Sequence, residues 1–168
     1  SVTLHVTDPG ASTPLAAMTA SLTKETAYSL LAYEYDGSVK LALLGENATA
    51  PSSGSAQWRV FNAAAGAGSL DVYLTDAATD LATVSSPSFT VNASASVAAS
   101  SLVTVTPGTY RMRVTGTGNR SDVRLDMPSV TLGNQDSAML LLTPAAGLPT
   151  HATFSPVIPA VITSSSFV

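Results

Sequence analysis

Apolar residues recur along this chain mostly at alternate positions, in short runs bounded by Gly, Pro, Asn or Ser. Hardly any stretch has the three-to-four-residue spacing of a helix. The pattern predicts strands at residues 2–7, 26–35, 39–44, 57–62, 70–75, 97–105, 109–115, 123–126, 137–142 and 151–156, and therefore an all-β fold. In Tyr110-Arg111-Met112-Arg113-Val114 the large apolar residues alternate with arginines, as expected of a strand buried on one side. The preceding Thr106-Pro107-Gly108 has Pro and Gly at the two central positions of an expected type II turn.

Comparing the chain with itself adds organisation. His5-Val6-Thr7 aligns with Arg113-Val114-Thr115, and Thr26-Ala27-Tyr28-Ser29-Leu30 aligns with Ser137-Ala138-Met139-Leu140-Leu141. Residues 1–48 therefore read as the C-terminal half of a first β-sandwich repeat and residues 56–157 as a complete one. The Ala, Ser, Pro and Gly of residues 49–55 form a linker. Residues 158–168 form an apolar tail.

A half-sandwich leaves a core face and a strand edge uncovered. The expected cover is the tail of the same chain, strands from a neighbouring copy, or a preceding segment. Strand addition to an open edge supplies a ladder of backbone hydrogen bonds and pockets for alternate side chains. The expected assembly contacts are Val2 and Leu4 on the open side, with Val157, Ile158, Val161, Ile162, Phe167 and Val168 of the tail as a complementing strand. The prolines of the tail restrict it to an edge.

Composition moves this picture out of the cytoplasm. Of the 168 residues 45% are hydrophobic and 11% charged, against roughly 25% charged in an average domain. Mean hydropathy is +0.30, and Ser and Thr make up about a quarter of the chain, so the surface is rich in hydroxyls rather than charges. The expected location is extracellular or at the cell surface, the periplasm included. A net charge of −4 and seven basic residues exclude a nucleic-acid footprint, which needs clustered Lys and Arg. Arg111, Arg113, Arg120 and Arg124 interleave with Asp122 and Asp126 and read as cross-strand ion pairs on an exposed face. No apolar run is long enough for a transmembrane segment and no signal-peptide pattern is present, so the chain reads as a mature or processed product. The absence of cysteine excludes disulfides and thiolate chemistry and tilts the source toward a prokaryote.

Candidate chemistry is sparse. His5 and His151 lack partners at zinc or catalytic spacing, and no Gly-x-Ser-x-Gly elbow accompanies the many serines. Asp71, Asp76, Asp80, Asp122 and Asp126 do not follow a calcium-loop spacing; Asp71 is expected to bond turn amides instead. Trp58, Tyr28, Tyr33, Tyr35 and Tyr73 are candidates for a sugar-stacking platform, with Tyr33 and Tyr35 on one strand face and Trp58 expected in the core or between repeats. Asn47-Ala48-Thr49, Asn92-Ala93-Ser94 and Asn119-Arg120-Ser121 match the glycosylation sequon, in segments expected to be loops.

Arg59-Val60-Phe61-Asn62-Ala63-Ala64, followed by Leu70-Asp71-Val72-Tyr73-Leu74, resembles the opening of the bacterial family catalogued as domain of unknown function 4397. Pro107-Gly108-Thr109-Tyr110-Arg111-Met112-Arg113-Val114 resembles a later strand of that family. The resemblance implies tandem immunoglobulin-like sandwiches in a secreted or surface protein, with no catalytic residues to carry over. The expectation is a structural or adhesive protein and not an enzyme, without cofactor or metal. Its expected partners are copies of itself, other surface proteins, or glycans. The alternative is a carbohydrate-binding or other surface ligand-binding module.

Overall fold

The computed structural model describes residues 1–46, 49–92 and 102–143, and these form an all-β structure. The strands are β1 Val2–Thr7, β2 Pro14–Ala20, β3 Tyr28–Tyr35, β4 Ser38–Gly45, β5 Ala56–Asn62, β6 Leu70–Thr75, β7 Phe89–Val91, β8 Val103–Val105, β9 Gly108–Gly116, β10 Asn119–Leu132 and β11 Ser137–Leu142. The predicted strand at 151–156, the tail, and residues 97–101 of the predicted strand at 97–105 lie outside the described residues.

From β5 onward two sheets pack face to face. One has the order β10-β9-β6-β7 and the other β11-β5-β8. Alternate apolar residues of both sheets meet in one core: Trp58, Val60, Leu140 and Leu142 from the smaller sheet, and Leu70, Val72, Met112 and Val114 from the larger. β5 and β11 run parallel in strict register, Trp58 beside Ala138 and Val60 beside Leu140. All other pairings are antiparallel.

Residues 1–46 form two hairpins, β1–β2 and β3–β4. The second closes through Asp36 and Gly37, both at positive φ (53° and 72°). This is the type I′ geometry whose twist matches the flanking strands, and Gly at its second position adopts it without strain. It fixes the register with Tyr35 opposite Ser38.

Several details depart from the sequence pattern. β2 escapes it because Leu15, Ala16, Ala17 and Met18 blur the alternation. β7 is only three residues long. β10 runs for 14 residues rather than 123–126, because three register shifts against β9 let it bend while pairing continues. The expected type II turn at Pro107-Gly108 is not formed: Gly108 is not among the positive-φ glycines and instead opens β9, opposite Leu132.

Arg113 is also not on an exposed face. It is 5% exposed because β9 is an inner strand, flanked by Tyr73 on β6 and Asp126 on β10. The outer side of that sheet is likewise closed at Asp71 and Tyr73, and Leu81 is buried in the short 3-10 turn Leu81–Thr83.

Met112 is fully buried on an inner strand of the core. Met112→Ala is expected to lower stability by about 2–5 kcal/mol, as cavity-forming substitutions do. Leu22→Ala, at a residue 48% exposed, is expected to change it by less than about 0.5 kcal/mol. Urea denaturation followed by Trp58 fluorescence measures both.

Candidate assembly surface

The two N-terminal hairpins touch through β2 and β4 and carry apolar stripes that stay partly exposed. In β1–β2, Val2 faces Ala20, Leu4 faces Met18 and Val6 faces Ala16 across the pair. Leu4, Val6, Ala16, Met18 and Ala20 are only half-buried, and Val2 is 41% exposed. In β3–β4, Leu30 pairs with Leu43, Ala32 with Leu41 and Glu34 with Val39. Leu30 is 43% exposed, Ala32 is exposed, and Val39, Leu41 and Leu43 are half-buried. Internal alignment gives the comparison its force. Val114 and Met112 of β9, the counterparts of Val6 and Leu4, are 1% and 0% exposed. The aligned positions are closed on β9 and half-buried on β1.

The other face of the β3–β4 hairpin is fully seated. Tyr33, Ala42 and Leu44 pack with Phe61 and Ala63, joined by Leu31, Tyr35, Met139 and Leu141. The Tyr33 and Phe61 rings meet edge to face with centroids 5.1 Å apart. Burial pushes the Tyr33 hydroxyl pKa up, with Tyr35 adding to it. That hydroxyl is buried without a hydrogen-bond partner among the described residues. Beside this cluster the Arg59 guanidinium donates to the Gly45 carbonyl at 3.1 Å and to Glu46 Oε1 at 2.5 Å, with the Arg59 side chain 8% exposed. A buried arginine needs such compensation for its lost hydration.

The sequence reasoning missed both this seat and the clamp beside it. The available signal was the apolar run Tyr28-Ser29-Leu30-Leu31-Ala32-Tyr33, which supplies two faces rather than one.

The remaining motif residues hold the fold. Asn62 Nδ2 donates to the Gly68 carbonyl at 3.1 Å, while its Oδ1 accepts from the Ala64 amide at 3.1 Å, closing the turn after β5. Asp71 accepts from the Gly118 amide at 2.9 Å and from Thr90 Oγ1 at 2.8 Å, so it bonds a turn amide as expected. Tyr110 donates to the Thr106 carbonyl.

Each arginine of the expected ion-pair group has its own arrangement. Arg111 and Asp126 form a two-pronged cross-strand pair at 2.9 and 2.6 Å. Arg124 pairs with Asp122 on its own strand and donates to the Ala67 carbonyl. Arg113 donates to Thr75 Oγ1 at 2.8 Å, and Arg120 to the Ser85 carbonyl at 2.7 Å. Asp80 caps the 3-10 turn, accepting from the Ala82 amide.

Of the expected assembly contacts, Val2 and Leu4 sit on the open stripe of β1. Val157, Ile158, Val161, Ile162, Phe167 and Val168 lie outside the described residues, as do His151, Asn47 and Ala93. His5 is exposed on β1. Three of the five candidate stacking rings are buried: Trp58 at 4%, Tyr73 at 2% and Tyr33 at 7% exposure. Tyr33 is thus not an exposed partner for Tyr35, because Phe61 covers it. Tyr28 is half-buried, its hydroxyl accepting from the Thr23 amide at 3.0 Å.

Arg59→Met removes the two charge-assisted contacts to Gly45 at the end of β4 and to Glu46 beyond it, at an expected cost of about 1–3 kcal/mol. Glu46→Gln, which keeps an acceptor oxygen, should cost less. Urea midpoints of the two variants test the order, and an Arg59→Met midpoint equal to wild type refutes the clamp. The Arg111 guanidinium holds the Asp126 carboxyl below its ordinary pKa through their hydrogen bonds. A depressed carboxylate stabilises the fold above its unfolded-state pKa and loses that contribution as pH falls through the folded value. Asp126→Asn should therefore flatten the acid limb of a stability-pH curve. The change should shrink in salt, because both side chains are about one-third exposed.

No curated protein matches the chain. Residues 1–73 match a family model, a stretch that runs through both hairpins, β5 and its Arg59 clamp, and ends at Tyr73 on β6. The later Pro107-to-Val114 segment lies outside the matched residues. Over residues 1–73 the chain matches the family described as Domain of unknown function (DUF4397), the same family its motifs resemble.

Proposed function

We propose that this protein is an extracellular structural or adhesive subunit that joins its neighbours at the cell surface by β-strand complementation. The observation that carries the reading is the unequal sealing of two equivalent stripes, Val6 half-buried where Val114 is 1% exposed. Leaving a Val or Leu side chain in water forgoes roughly 1.5–3 kcal/mol per residue. An added strand recovers that energy along with a row of backbone hydrogen bonds. The sparse charge and abundant hydroxyls of the chain suit a protein packed among others outside the cell.

Light scattering of the purified chain across a concentration series tests this. The expected result is a mass well above 17.0 kDa that persists on dilution, with elongated particles in negative-stain images. A monodisperse 17.0 kDa species at every concentration would overturn the proposal.

A further inference from the structure

We draw no further inference here: the strongest candidate, the apolar face that Leu30 and Ala32 expose beside the edge of β3 that pairs with no strand among the described residues, carries nothing because nothing in the structure shows what covers it.

Discussion

The structure depends on a single strand being buried on both sides. β5 sends Trp58 and Val60 into the sandwich core and Arg59 and Phe61 out the other way, and a sheet surface of that kind must be covered. The β3–β4 hairpin covers it. The β3–β4 hairpin is positioned by this contact and by the Arg59 bonds to Gly45 and Glu46, and β2 in turn lies against β4. Arginine suits the place because its aliphatic stem tolerates the apolar seat, while its planar head reaches a carbonyl and a carboxylate at once. One hairpin therefore has two different faces, one packed against Phe61, Met139 and Leu141 and the other only partly covered, with Leu30 and Ala32 exposed.

The sequence disclosed the strands, and with them the fold class, because β structure leaves a period-two signature wherever one face is wet. It was also sufficient to align His5-Val6-Thr7 with Arg113-Val114-Thr115, which later made the exposure of Val6 meaningful. The signature weakens where both faces are dry. β9 read as a one-sided strand in the sequence, yet Arg113 is buried, and so is Arg59 on β5. An arginine in a pattern normally marks the solvent side, and only tertiary structure reveals a carbonyl or hydroxyl waiting for it. β2 and β7 were hidden for simpler reasons, a run of small apolar residues in one and three-residue length in the other.

The candidate surface was half readable. Val2 and Leu4 could be named because they are alternate apolar positions of the first strand, β1. Leu30, Ala32, Leu41 and Leu43 could not, since their exposure follows from the way β3–β4 is seated rather than from composition. The aromatic residues were the reverse case: an exposed platform was conceivable from spacing alone, but Phe61 and the core take up Tyr33, Tyr73 and Trp58. The family motif is likewise explained by architecture. Arg59 clamps, Asn62 turns the chain, and Asp71 ties β6 to the Gly118 turn and to β7.

The two-residue turn at Asp36-Gly37 then has a role larger than its size. Side chains on a strand alternate with a period of two, and this loop is what sets the phase of β4 relative to β3. Lengthened by one residue, it would let β4 slip by one position, sending Ala42 and Leu44 toward the open side and Leu41 and Leu43 toward Phe61. Which face of the hairpin is anchored and which is offered outward is therefore a matter of parity, held by two residues that touch neither surface.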